Sequence, residues 1–143
     1  MSLEALFKLS GQSMVVQAAR LGLTAEVLAH TDVPGSTEAQ TYRPRRPRIK
    51  SVPINLQVGA GRQVRGFGVE VAGIVESTAA PQSRYQPDHP DADSQGRVYY
   101  PAVSVVEEMA TMMSAAREFD AAVTVYATGR QLHGKLMELG ALN

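Results

Sequence analysis

The chain has 143 residues, with 14 Lys and Arg against 14 Asp and Glu, three His, no Cys and no Trp. That length suits one modest domain, or a small domain with appended helices, rather than a two-domain enzyme. Zero net charge argues against a whole-chain polyanion binder, and the lack of cysteine excludes disulfides, thiol chemistry and thiolate zinc sites.

Composition divides the chain at 1–32, 33–101 and 102–143. All eight prolines lie between Pro34 and Pro101, and all six methionines lie outside that window. Cations and carboxylates number two against three, nine against six, and three against five in the three segments. Proline is costly inside helices and tolerated in turns and edge strands. Two helical arms around a β-type centre are therefore expected, an α+β fold with the arms pairing as a coiled coil. No stretch approaches the roughly 17 apolar residues of a bilayer span. The start, Met1-Ser2-Leu3-Glu4, has neither a basic region nor a small-residue cleavage site, so a cleaved secretory leader is not expected.

The first arm predicts a helix over about 3–30, on the order of 40 Å long. Phe7, Gly11, Met14, Ala18, Leu21, Ala25 and Leu28 alternate steps of four and three, a heptad seam with polar residues off it. Val33-Pro34-Gly35 is the expected stop. Next comes the chain's one basic run, Arg43, Arg45, Arg46, Arg48 and Lys50. Five cations could grip phosphates. With no stacking aromatics or recognition helix beside them, the run reads as an exposed extended linker meeting an acidic face, one that a neighbouring subunit could present.

The centre then alternates. Val52, Ile54, Leu56 and Val58 predict a strand, with Pro53 marking it as an edge. Gly59-Ala60-Gly61 predicts a turn. Phe67, Val69, Val71 and Val75 predict a second strand, with Gly73 a possible bulge. The spacing of Gly59, Gly61, Gly66 and Gly68 fails the dinucleotide pattern, since no helix period follows. Residues 85–96 read as a loop and 98–100 as a short third strand. Asp91, Asp93 and Gly96 fit positions one, three and six of a calcium loop, but Ala102 stands where a bidentate Glu is needed. Asp88, His89, Asp91 and Asp93 therefore read as turn formers beside Pro and Gly.

Ser104-Val105-Val106-Glu107 matches a capping box opening the second arm. Val105, Met109, Met112, Ala116, Phe119, Val123 and Tyr126 alternate four and three again. A neighbouring line then takes over through Leu132, Leu136 and Leu139, and a drifting stripe suggests more than one partner helix. Gly140 is a plausible stop. Met109, Met112 and Met113 read as adaptable core or interface rather than a soft-metal site. His30, His89 and His133 are scattered, and no nucleophile elbow or zinc motif is present. No enzyme, cofactor, metal or small-molecule substrate is expected.

Each arm carries an apolar seam that so small a centre cannot cover, which is the pattern of an assembly protein. The expected interface is Phe7, Met14, Ala18, Leu21, Ala25, Leu28, Val105, Met109, Met112, Ala116, Phe119, Val123, Tyr126, Leu132, Leu136 and Leu139. Alanines at 18, 25 and 116 permit close helix approach.

A resemblance sharpens this. Tyr85-x-Pro87-x-His89-Pro90-x-Ala92-Asp93-x-x-Gly96-x-Val98, then Tyr100-Pro101-x-Val103-x-Val105-Val106-Glu107-Glu108-Met109, is similar to the signature of the FlgC family of flagellar basal-body rod proteins. Met113 to Val123 resembles that family's C-terminal helix. Phe7, Ser10-Gly11, Ser13-Met14, Gln17, Arg20-Leu21, Thr24-Ala25 and Leu28-Ala29 resemble its N-terminal arm. Where such proteins carry asparagines in the turn after the first helix, this chain has Glu26, Val27 and His30. The resemblance implies a structural subunit of the proximal rod, with an inner layer of paired arms and an outer β layer. It also implies export by the flagellar type III apparatus without a cleaved signal, and copies of itself and other rod proteins as neighbours. The competing readings are a cytoplasmic coiled-coil scaffold or adaptor and, further off, a nucleic-acid binder using Arg43–Lys50.

Overall fold

A computed structural model describes residues 3–58 and 62–140 of the chain. The elements, in order, are α1 (Leu3–Ala29), β1 (Arg45–Val58), β2 (Arg62–Glu76), β3 (Gln82–Tyr85), β4 (Arg97–Tyr100) and α2 (Val105–Gly140). This is the expected α+β arrangement of two long terminal helices around a small β centre. β1 pairs with β2, and β3 pairs antiparallel with β4 in the register Gln82 to Tyr100 and Tyr85 to Arg97. The turn expected at Gly59-Ala60-Gly61 lies outside the described residues, as do the side chains of Leu56 and Val58.

The helices begin and end for local reasons. α1 stops at Ala29, four residues before Val33, because side chains take over its last carbonyls. The His30 Nδ1–H donates to the Glu26 carbonyl at 2.9 Å, and the Thr31 hydroxyl donates to that of Val27 at 3.0 Å. At the start of α2 the Ser104 Oγ accepts from the Glu107 N–H at 3.5 Å, one half of the expected capping box.

The basic run corrects the linker reading. Arg45 opens β1, so the strand starts seven residues before Val52, and Arg45, Arg46, Arg48 and Lys50 sit on sheet rather than on a linker, with Arg43 just before it. β3 was invisible in the sequence: Gln82-Ser83-Arg84-Tyr85 has no apolar alternation, and all four residues are exposed. Its backbone pairing to β4 and the Arg84 guanidinium over the Tyr100 ring, 4.5 Å from its centroid, hold it instead.

The chain folds as two compact units, each drawn from all three compositional segments. The first comprises residues 1–19, 49–72 and 114–143, and the second 20–48 and 73–113. In the first unit α1 and α2 pack antiparallel. The Phe7 and Tyr126 rings lie 5.1 Å apart at 57°, and the Gln17 Nε2 donates to Glu118 at 2.5 Å. Gly129 lies so close to α1 that a Cβ there would come 2.7 Å from Leu6 Cδ2. Ala5, Val16, Ile54, Ala115 and Ala122 form this unit's buried apolar core.

The second unit buries Val27 and Val98, with Thr24, Thr41 and Glu108 beside them in the buried set. Gly35 bridges Tyr99 through both its N–H (2.8 Å) and its carbonyl (3.1 Å). Residues 86–96 form a loop around Asp93. Its Oδ1 accepts the Gln95 N–H at 2.8 Å and the Arg97 N–H at 2.9 Å, and its Oδ2 accepts the Tyr99 hydroxyl at 3.2 Å. These bonds, the Arg97 N–H first, hold the Asp93 carboxyl below its ordinary value, while burial pushes the Tyr99 phenol up. Gly96 takes φ +72°, where a side chain would be strained and would also crowd Tyr85 and Pro87.

Candidate assembly surface

In each helix the face that packs within the chain is set by small and polar residues. In α2 the buried positions are Glu108, Ala115, Ala122 and Gly129, seven residues apart. In α1, Ser10, Gln17 and Thr24 repeat the same interval, flanked by Ala5, Val16 and Val27. The heptad period expected from the sequence is present. Its phase within the chain is displaced by one residue in both arms, about 100° around the helix. Size contributes to this on α2, where Ala115, Ala122 and Gly129 allow a close approach and larger apolar residues lie to the sides.

The expected seam therefore flanks the intrachain contact. Phe7, Met14, Leu21, Leu28, Met112, Ala116 and Phe119 are half-buried, and Ala18 and Ala25 are exposed. Val105, Met109, Val123, Tyr126, Leu132, Leu136 and Leu139 are exposed, with values between 40 and 62%. Val106, at 78%, and Met113, at 54%, extend the same apolar surface. So α2 presents to its surroundings the residue types that normally form a core. Two seam residues, Phe7 and Tyr126, also meet between the helices, and the buried line beside them is legible in sequence as the seven-residue recurrence of Glu108, Ala115, Ala122 and Gly129.

Two grooves border the helices of the first unit. One, of about 380 Å³, runs between Leu6, Leu9, Ser10 and Ser13 on α1 and Glu118, Ala121, Ala122 and Val125 on α2. The other, of about 570 Å³, lies between α1 and β2, lined by Phe7, Lys8, Gly11, Gln12, Val15, Val69, Glu70 and Val71. β2 meets α1 through Gly68, where a side chain would collide with the Gln12 amide.

The basic run finds its acids within the chain. Consecutive strand residues face opposite ways, and Arg45 and Arg46 bond Glu26 of α1 and Glu108 of α2 respectively. Lys50 pairs with Glu70 of β2 at 2.6 Å. No neighbouring subunit is needed to supply acidic partners for these three. Around Glu26 the arrangement is tight: the Tyr42 hydroxyl also reaches the carboxylate, at 3.3 Å, and the His30 and Tyr42 rings stack 4.5 Å apart. Arg45 holds the Glu26 carboxyl below its ordinary value, and burial pushes the Tyr42 phenol up. The end of α1 is thus charged and stacked.

Among the described residues no three His, Asp or Glu side chains are grouped to hold a metal, and no helix is long and apolar enough to cross a membrane.

Comparison with known proteins agrees with the architecture. Residues 94–139 match the family model described as flagellar basal body rod FlgEFG protein C-terminal. The flagellar basal-body rod protein FlgC of Salmonella typhimurium is 35% identical over 140 residues, covering 98% of this chain and 99% of that protein. Its counterpart in Escherichia coli O6:H1 is 34% identical with the same coverage. The FlgC of Agrobacterium fabrum is 30% identical, covering 96% of this chain and 94% of its own. A match of this extent, over both arms and the centre together, means that the chain belongs to the FlgC family of flagellar basal-body rod proteins.

Proposed function

We infer that this chain is a structural subunit of the flagellar basal-body rod, assembling with other rod components. The observation that carries the inference is the uncovered apolar surface of α2 on a chain related to rod proteins along almost its whole length. A cytoplasmic scaffold sharing only the helix–β–helix plan is not favoured, because the relatedness extends through the β centre.

The finer reading goes further. Residues 1–32 and 102–143 act as assembly arms in the proximal rod, packing against copies of the chain and adjacent rod subunits, and 33–101 lies outside them. The sixteen seam residues from Phe7 to Leu139 form the interface. Burying exposed Leu, Val or Met contributes roughly 1.5–3 kcal/mol per side chain, so a ring of such contacts can hold a shaft that transmits torque. Subunits reach the site through the flagellar type III apparatus. Support comes from the half-covered state of the seam and from arms whose partners are supplied only by other parts of the fold.

Mass spectrometry of basal bodies purified free of filament tests this. The chain should appear at fixed stoichiometry to other rod proteins, and its absence from otherwise complete basal bodies would overturn the reading.

A further inference from the structure

We propose that Met109 and Met113 form an oxidation-sensitive site, at which peroxide converts both thioethers to sulfoxides in the folded, unassembled chain and so bars it from the rod. The proposal rests on the structural reading above, in which this part of α2 is an assembly surface.

The chain has no cysteine, so its readily oxidised sulfur lies entirely in six methionines. Three of them, Met109, Met112 and Met113, stand within five residues, and the fold sorts these three apart. Met112 is half-buried, as is Met14 on α1. Met109 and Met113 are 53 and 54% exposed. They lie four residues apart on one line of α2, continuing from the exposed Val105 and flanked by the exposed Val106. Two of the four side chains in this apolar patch are therefore thioethers open to solvent. Met137 is exposed as well, but the residues three and four before it are Gly134 and His133, so it lies off such a line.

The chemistry needs one oxidant, hydrogen peroxide. The sulfur lone pair attacks a peroxide oxygen, the O–O bond breaks, an S–O bond forms and water leaves. Sulfur loses two electrons and the peroxide gains them. The product is no longer an apolar side chain. Its oxygen is a strong hydrogen-bond acceptor, which must give up water without a replacement partner when an apolar surface covers the patch. The fold itself survives, because neither methionine belongs to the buried set of Val27, Val98 and Glu108. Oxidation thus acts on association and leaves the packed interior alone. Leucine, the residue at 132, 136 and 139, offers similar volume without this sensitivity.

The test has two arms. In the first, the purified full-length chain is exposed to hydrogen peroxide and its sulfoxides are mapped by peptide mass spectrometry over time. Met109 and Met113 should convert at least fivefold faster than Met112 and Met14; equal rates overturn the proposal. In the second, cells carry Met109→Gln with Met113→Gln in place of the wild-type chain, the amide carbonyl standing in for the sulfoxide oxygen. Its content in purified basal bodies should fall at least tenfold, while the purified variant keeps the wild-type urea midpoint. A variant that enters basal bodies at the wild-type level overturns the proposal and leaves the rod reading standing, and so does one whose urea midpoint drops. If the wild-type chain is itself missing from complete basal bodies, the rod reading falls, and this proposal with it.

Discussion

α1 and α2 are both long, proline-free and heptad-patterned, yet they are used differently. α1 buries Ala5, Ser10, Val16, Gln17, Thr24 and Val27, positions that point to more than one side of the helix. α2, with 36 residues against 27, buries a single line of four. The first helix is largely consumed by its own chain, while the second has one face fixed and the rest free. An amphipathic pattern in sequence therefore does not say which molecule will cover it. On α2 steric size does at three positions, because the close contact at Ala115, Ala122 and Gly129 leaves no room for Leu or Met.

The strongest way to break this contrast is to charge both kinds of position. Val27→Asp, at a site 1% exposed, should unfold the second unit, costing several kcal/mol, as read by urea denaturation. Leu132→Asp on the exposed face should leave the unfolding free energy read by urea within about 0.5 kcal/mol of wild type but abolish swimming. Stability lost in both variants, or in neither, would erase the distinction between the helices.

A second pair separates the two arginine environments. Arg46→Ala leaves the Glu108 carboxylate, 5% exposed, without its partner and should cost about 1–3 kcal/mol. Arg48→Ala should be close to neutral. In sequence the whole run reads as exposed, where an ion pair contributes under about 1 kcal/mol; the burial of Glu108 is what changes the expectation.

Acid sharpens the picture at the end of α1. The folded Glu26 carboxyl titrates below its ordinary value of 4.5 because Arg45 holds it ionised. Its stabilising contribution is thus fully present above about pH 4.5 and is lost as pH falls through the lower folded value. A urea midpoint series from neutral to acid pH should show this loss in wild type and a shallower one in Arg45→Met. The smallest effect belongs to Gly22→Ala. It has open space around its Cβ position inside α1 and should stabilise by about 0.5–1 kcal/mol in thermal melts.

Much of the fold was legible because proline and period speak plainly. The proline-free arms gave both helices, and the alternation from Val52 gave β1 and the run from Phe67 gave β2, although both strands extend further. What stayed hidden depends on partners distant in sequence. β3 exists because β4 offers it a ladder, and Arg45 starts a strand because Glu26 and Tyr42 wait across from it. The phase of the helix contact was missed for a related reason. Its residues are small or polar, and a search for apolar stripes passes over Ser10, Gln17 and Glu108. The family resemblance was carried mainly by the residues around Pro101, where loop, short strand and helix start lie close together.

The bond between Gln17 and Glu118 closes a span of 101 residues. Neither unit is local: one needs residues up to 113 and the other residues from both ends. Long-range closure of this kind is slow compared with helix growth. A ribosome or a narrow conduit delivering the chain from its N-terminus releases α1 well before any of its packing partners on α2. For most of that passage α1 lacks its partners on α2, and the helix pair closes only once the last quarter of the chain has arrived.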